Sequence, residues 1–337
     1  MAAEGDHIRR VNYNYTGADD EVPDDATHVT VSVTVIPENA FQGHPNIVEV
    51  ICDVNVKGVE GAAFDCCPCL RRVIMPGVEV VEENAFTGCE ALTDVECGKL
   101  KIIKFRAFSD CISLRSIDLP SARIVEEDAF WGCDALREAT FGDKLDRIVG
   151  AAFCFCESLE RITIPLKDGM LTHDIIFSGC DNLKQVDLVE GPIHETIAAL
   201  PMEEWRNDMY EEIDSINQIL PTVNAGCGYC DAGEMALAIR TWIRSVLGKI
   251  IPYKAEHQRF VDEAATSLQL ALPRDIVMNN VLPFLELPSY TFELENHEEE
   301  EGNEGNGRRD FRIIWHWRTF NCCAIPYCCW ISCRGGV

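Results

Sequence analysis

Residues 129–141 read AFWGCDALREATF, and the same pattern recurs as AFTGCEALTDVEC (85–97), AFSDCISLRSIDL (107–119) and AFCFCESLERITI (152–164). Each copy places a Phe, then a Cys three residues later, then apolar residues six, nine and eleven after the Phe. A unit this short cannot bury its own apolar side chains, so it is typical of one coil in a stack. The stretch therefore predicts a solenoid.

The repeat occurs seven times, with successive aromatic positions 22 to 24 residues apart. Those positions are Phe41, Phe64, Phe86, Phe108, Phe130, Phe153 and Phe177. Alternating apolar residues at the end of each unit predict a short β-strand with one buried face. Stacked units would pair these strands in parallel at about 4.8 Å. The sequence ATHVTV (26–31) follows the same pattern and predicts one more strand at the N-terminus.

Cysteine is the second regular feature of the repeat. Six of the eighteen cysteines occupy one repeat position: Cys67, Cys89, Cys111, Cys133, Cys156 and Cys180. One cysteine per unit favours a small buried residue with a reduced thiol over a disulfide partner. A ladder of zinc ligands is the alternative interpretation.

The unit AFxxCxxLxx[VI]x[LIM] resembles the BspA-like leucine-rich repeats over roughly residues 26–190. The resemblance implies an α/β solenoid, a right-handed stack of short parallel strands that binds protein partners, with no catalytic residue to carry over. The end units depart from the pattern: His44 replaces the cysteine in the first, and the last begins LTHDIIF (171–177). Terminal repeats of solenoids are commonly atypical.

After Pro192 the apolar period changes from two residues to three or four, which predicts helices. We expect a first helix over about 195–220, a second through residues 239–272 with a kink at Pro252, and a short helix after Pro273. The predicted organisation is a flexible N-terminal segment (1–25), the solenoid (26–192), an α-helical region (193–290), an acidic disordered linker (291–310) and an unstructured Cys/Trp-rich tail (311–337).

The charge balance narrows the possible partners. The chain has 56 acidic and 29 basic residues, a net charge of −27, which argues against nucleic acid and anionic lipid and favours a basic protein partner. No signal-peptide core or bilayer-spanning apolar run is present, so we expect a cytoplasmic protein. Cysteines beside tryptophans in the tail leave one membrane alternative, contact through palmitoylation.

Sequence motifs give no support for catalysis. Cys227 and Cys230 form an isolated CxxC, which supplies two zinc ligands where four are needed and lacks the strand of a redox motif. We interpret it as part of an ordinary loop. The chain carries no phosphate-binding loop, nucleophile elbow or paired-histidine motif. The prediction is a non-enzyme without cofactor or metal.

The outward positions of the predicted strands are the candidate partner-binding face. Its residues are Glu49, Arg72, Asp94, Glu96, Asp118, Glu138, Thr140, Arg161, Thr163 and Asp187. Cross-strand pairing of opposite charges would give a similar pattern with no partner at all. The leading hypothesis is a non-catalytic protein–protein interaction scaffold. The alternatives are an F-box-like ubiquitin-ligase substrate adaptor, suggested by Leu272, Pro273, Ile276 and Val277, and a cell-surface adhesin-type repeat protein.

Overall fold

The computed structural model describes residues 10–17, 21–224 and 233–294. In these residues, fifteen short strands precede four α-helices. The strands are β1 (Asn12–Tyr15), β2 (His28–Val31), β3 (Val35–Ile36), β4 (Glu49–Cys52), β5 (Gly58–Val59), β6 (Arg72–Ile74), β7 (Val80–Val81), β8 (Asp94–Glu96), β9 (Ile102–Ile103), β10 (Ser116–Leu119), β11 (Ile124–Val125), β12 (Glu138–Phe141), β13 (Arg147–Ile148), β14 (Arg161–Ile164) and β15 (Gln185–Leu188). The helices are α1 (Pro192–Ala199), α2 (Glu203–Asn224), α3 (Glu234–Gln269) and α4 (Arg274–Asn280), with 3-10 helices at Asp174–Phe177 and Leu282–Phe284.

Each central coil of the chain contributes one longer strand and one two-residue strand. The longer strands form two parallel sheets, β1-β2-β4-β6-β8 and β10-β12-β14-β15, and the two-residue strands form a third, β13-β11-β9-β7-β5-β3. Pairing is in register, so that Glu49 lies opposite Arg72 and Arg72 opposite Asp94. Each repeat position therefore meets its own copy in the next coil. The predicted fold class, a parallel-strand solenoid followed by helices, is confirmed.

The repeated phenylalanines form one continuous stack through the core. Neighbouring rings from Phe41 to Phe153 lie 4.8 to 5.4 Å apart between centroids and within 9° of parallel. The stack continues to Phe177 at 6.0 Å, and Tyr15 closes its N-terminal end at 4.9 Å from Phe41. The ring spacing follows the distance between paired strands, because each coil adds one ring.

The repeated cysteines form a ladder of hydrogen bonds beside the rings. Each thiol donates to the carbonyl oxygen of the Phe in the preceding coil over 3.0 to 3.3 Å, from Cys67 with Phe41 to Cys180 with Phe153. All six ladder cysteines are buried, as predicted, and none of them is joined in a disulfide to another described cysteine; their reduced state stays a prediction. Burial raises the pKa of the Cys111 and Cys133 thiols well above the ordinary value.

His44 keeps the ladder interaction in the first coil, where the cysteine is missing. Its Nε2 lies 3.0 Å from the carbonyl oxygen of Pro23, which can only accept a hydrogen bond. Its Nδ1 accepts from the backbone N–H of Asn46 at 3.4 Å. Nε2 is therefore the donor in this contact, and Pro23 takes the place of the Phe acceptor of the later coils.

The buried ladder predicts a specific pattern of thiol reactivity. In native protein near neutral pH, we expect iodoacetamide to leave Cys89, Cys111, Cys133 and Cys156 unmodified, because they are buried and held as thiols. Cys66 is exposed and should react. Peptide mapping by mass spectrometry gives the readout, and labelling in denaturant shows that every site can react. Rapid modification of the four ladder thiols in native protein would contradict the stack.

The helical region covers the C-terminal end of the solenoid. The Asn217 side-chain oxygen on α2 accepts from the backbone N–H of Val186 in β15 at 2.9 Å, so it pairs a donor on the last strand. From α3, Arg244 contacts the Asp168 carboxylate at 3.0 Å, and Arg240 pairs with Asp174. The helices therefore protect an edge that would otherwise present unpaired backbone groups.

Helices α2 and α3 are joined by a small polar cluster as well as by apolar packing. Lys249 lies 2.8 Å from both Asp208 and Glu212, and the Trp242 indole N–H donates to the Glu212 carbonyl at 3.0 Å. Hydrogen bonds from Lys249 and Tyr253 lower the pKa of Asp208. The cluster fixes the register of one helix against the other.

Two details differ from the sequence predictions. Residues 12–15, placed in a flexible segment, form β1, because Tyr15 packs on the Phe stack while β1 pairs with β2. The predicted helix over 195–220 is two helices, α1 and α2. Leu200, which precedes Pro201, is extended there, as residues before proline usually are.

The other predictions for the chain after residue 220 concern the second helix and three segments that the structure does not describe. Helix α3 is one helix with Pro252 inside it, and the expected kink stays a prediction. The CxxC motif at 227–230, the acidic linker beyond residue 294 and the Cys/Trp-rich tail lie outside the described residues.

Candidate interaction surface

The predicted partner-binding residues all lie at outward positions of the longer strands. Four are on the first sheet and six on the second, and the register places them in two parallel columns. One column contains Glu49, Arg72, Asp94, Glu138 and Arg161, and the other contains Glu96, Asp118, Thr140, Thr163 and Asp187. The structure therefore assembles these residues into one outward face, which we call the strand face.

Arg72 is the centre of an ion-pair cluster in the N-terminal part of the strand face. Its guanidinium group lies 3.0 Å from Asp94, 2.5 Å from Glu96 and 3.8 Å from Glu49. The hydrogen bond to Glu96 raises the pKa of Arg72. These groups are solvent-exposed, so the ion pairs contribute little to folding stability. Cross-strand pairing accounts for this part of the face without a partner.

Two further groups join this cluster from the N-terminal strands. Arg10 and His28 lie 3.9 and 4.0 Å from the Glu49 carboxylate. Burial, with the nearby Arg10 charge, lowers the pKa of His28. Sequence reasoning missed Arg10 because it read the segment before residue 26 as flexible. It missed His28 because outward positions were counted from the Phe of each unit, and the strand at 28–31 precedes the first Phe. The alternation in NYNY (12–15), one coil before HVTV (28–31), is the signal that was available.

A second cluster closes the C-terminal end of the strand face. Arg161 donates to the Gln185 side-chain oxygen at 2.9 Å and lies 3.6 Å from Asp187. Gln185 in turn donates to both Asp187 carboxylate oxygens at 3.1 and 3.2 Å. Thr163 is the in-register neighbour of Asp187. The polar side chains at this end therefore also form their hydrogen bonds and ion pairs within the protein.

The centre of the strand face differs from its two ends, because its carboxylates form no ion pairs with other described residues. Asp118 and Glu138 are exposed on β10 and β12; in the register Asp118 lies beside Thr140, and Glu138 lies between Ser116 and Arg161. Among the residues that the structure describes, no ion pair joins either carboxylate to a basic side chain. Two carboxylates without a basic partner thus lie between two arginine-centred clusters. This arrangement suits contact with a basic group from outside.

The described parts of the chain show no grouping that would support metal chemistry. They contain no cluster of three or more His, Cys, Asp or Glu side chains able to hold a metal ion. Across the same residues, none of the helices is both long enough and apolar enough to cross a membrane.

Three solved structures illustrate the likeness to known proteins. A leucine-rich repeat protein from Bacteroides ovatus is 24% identical, with a TM-score of 0.39, over 53% of this chain and 42% of that protein. The T. pallidum leucine rich repeat protein is 27% identical, with a TM-score of 0.37, over 42% of this chain and 69% of that one. A leucine rich cell surface protein from Faecalibacterium prausnitzii is 17% identical, with a TM-score of 0.20, over 50% of this chain and 80% of that one. This chain thus spans less than half the length of the Bacteroides protein.

A model of a repeat family matches more than half of the chain. No curated protein matches the chain significantly. The model for the BspA type leucine rich repeat region, which has six copies of the repeat, matches residues 25–123 and 79–198. Together these matches cover residues 25–198, more than half of the 337 residues. They coincide with the coils that carry the Phe stack and the Cys ladder, and the chain therefore belongs to the BspA-type leucine-rich-repeat family.

Proposed function

We propose that the protein is a non-catalytic interaction scaffold that binds a protein partner through the strand face. The observation that supports this most directly is the pair of exposed carboxylates at its centre, Asp118 and Glu138, between clusters that satisfy themselves. Cross-strand pairing explains the contacts of Arg72 and Arg161, but in the described residues neither Asp118 nor Glu138 forms an ion pair, although Arg161 is the in-register neighbour of Glu138. A partner that supplies lysine or arginine there would complete the charge pattern along the face.

The electrostatics of the whole chain favour the same class of partner. A net charge of −27 attracts basic proteins, and the attraction speeds their encounter at low salt. The strand face is built on rigid coils, so its charges keep fixed positions relative to one another. A basic partner would therefore find a preformed surface and would lose little entropy by ordering it.

The free thiols of the ladder support a cytoplasmic location within this proposal. Each buried ladder thiol donates a hydrogen bond to the core and depends on staying reduced. The cytosol keeps thiols in that state. The helical region has a structural role in this scheme, because it closes the end of the solenoid where Asn217 pairs with Val186.

A charge-reversal experiment tests the strand face directly. We expect Asp118→Lys with Glu138→Lys to reduce partner recovery about tenfold or more, since like charges across an interface cost several kcal/mol. Folding should be nearly unchanged, because exposed substitutions usually shift stability by less than about 0.5 kcal/mol each. Quantitative mass spectrometry of proteins cross-linked to the bait in lysate measures recovery of each one.

The matched control reverses the same number of charges away from the strand face. Glu90→Lys with Glu157→Lys changes two exposed carboxylates on the turns after the Phe positions. A specific partner is one that is retained by wild type and by this control but lost from the strand-face variant. If every protein retained by the wild type is also retained by a folded strand-face variant, the proposal is wrong.

A further inference from the structure

The sheet of two-residue strands carries an apolar column on its outward side, and the column has one gap. In register along that sheet lie Val35, Gly58, Val80, Ile102, Ile124 and, at its end, Arg147. Four of the six positions hold a β-branched aliphatic residue, which suits a strand. Gly58 alone has no side chain, although it lies between Val35 and Val80.

The backbone does not require glycine at this position. Gly58 does not adopt a positive φ, and an added Cβ would lie 3.6 Å from a methyl carbon of Val35, an ordinary van der Waals contact. Gly77 shows the opposite case, because a Cβ there would lie 2.1 Å from the carbonyl oxygen of Val54. Glycine within a strand weakens it and often marks a place where a ligand or another chain approaches closely. Valine has a higher strand propensity than glycine at such a position.

A surface hollow of about 540 Å³ lies around Gly58, and we call it the Gly58 hollow. Its apolar floor includes Val35, which is 38% exposed, together with the buried Val59 and the partly buried Val80. Four carboxylates stand around this floor: Glu38, Glu60, Glu82 and Glu83. The hollow therefore combines apolar depth with an acidic rim.

The rim charges are largely uncompensated by the protein itself. Within the described ranges, no ion pair joins any of the four rim glutamates to a basic side chain. Lys57 is the basic residue of the lining, and its Nζ donates to the Val54 carbonyl oxygen at 3.2 Å. Complementarity to such a site requires an apolar side chain flanked by positive charges.

We propose that the Gly58 hollow is a second docking site, which accepts one bulky apolar side chain from a lysine- or arginine-rich segment of a partner protein. The apolar side chain occupies the space that Gly58 leaves between Val35 and Val80. The flanking basic residues contact the rim, where Glu60 and Glu82 stand on neighbouring coils. This site is on the sheet of two-residue strands and does not depend on the strand face.

Short synthetic peptides test the chemistry without a known partner. The probes are fluorescein-labelled acetyl-KKLKK-amide, its glycine counterpart KKGKK and its charge-reversed counterpart EELEE, each measured by fluorescence anisotropy against the full chain at moderate salt. We expect KKLKK to bind about tenfold more tightly than KKGKK, the ratio expected from burial of one large apolar side chain. EELEE should not bind. Equal binding of KKLKK and KKGKK would mean general attraction to an acidic protein and would overturn the proposal.

Gly58→Val locates the binding on the protein. The variant places a side chain between Val35 and Val80, in the space proposed for the apolar side chain of the partner. We therefore expect it to remove the advantage of KKLKK over KKGKK while thermal unfolding shows no loss of stability. Gly98→Ala is the matched control, since an added Cβ at Gly98 meets nothing within 4 Å and no described pocket includes it. It should bind KKLKK as the wild type does. A folded Gly58→Val variant that keeps the full preference for KKLKK would overturn the proposal, whatever the outcome at Asp118 and Glu138.

Discussion

Replacing Phe108 with Ala should lower the free energy of unfolding by about 3–5 kcal/mol, the usual range for truncating a buried phenylalanine. Phe108 is fully buried and stacks on both sides, against Phe86 at 5.1 Å and Phe130 at 5.4 Å. The coils on either side are held in register by the sheets, so they cannot collapse far into the space left behind. Urea unfolding followed by circular dichroism measures the change.

Phe41→Ala is the comparison for this variant. Phe41 is the first ring of the repeat series, and its outer neighbour is the tilted ring of Tyr15 at 60°. A terminal coil can open locally without breaking the coils beyond it, so we expect a smaller loss there. Equally small losses at Phe41 and Phe108 would show that the coils do not share one core.

Gly142→Ala should destabilise the protein by about 1–3 kcal/mol or more, as overpacking of a close contact does. A Cβ at Gly142 would lie 2.1 Å from the carbonyl oxygen of Pro120 and 2.9 Å from its carbonyl carbon. Both atoms belong to the backbone of the preceding coil, so relief requires the two coils to move apart. The same urea titration measures the effect.

Gly98→Ala supplies the control at the corresponding repeat position. Gly98 and Gly142 both follow a longer strand, twelve residues after the Phe of their unit, but an added Cβ at Gly98 meets nothing within 4 Å. We expect Gly98→Ala to be nearly neutral. A loss at Gly142 no larger than the loss at Gly98 would mean that the contact between coils is not fixed.

The solenoid was predictable because its sequence repeats. Once one Phe and one Cys are assigned to the core, the same assignment holds in every coil, and the stack from Phe41 to Phe177 follows. The outward positions of the strand face follow from the same register. The register does not say which outward side chains form ion pairs. Arg72 contacts Glu49 on the preceding coil and Asp94 on the next, and those contacts depend on its side-chain conformation.

The ends of the solenoid were harder to predict, for reasons visible in particular residues. β1 has tyrosines where the next strand has valines, so its apolar pattern is weak. The contact of Asn217 with Val186 depends on how α2 is rotated and placed, and helical periodicity gives only the buried stripe. The Gly58 hollow arises from a residue whose side chain is absent, which a search for functional side chains passes over.

The register of the Cys ladder has a consequence for how such a chain can change in length. Each thiol donates to the Phe of the coil before it, so every internal coil offers the same acceptor on one side and the same donor on the other. Duplication or loss of one whole unit leaves these surfaces matched, whereas a change of half a unit would place a thiol against the wrong group. Duplication or deletion of a whole repeat in the gene is therefore compatible with folding. The solenoid can lengthen or shorten in this way while the contacts of its core stay the same.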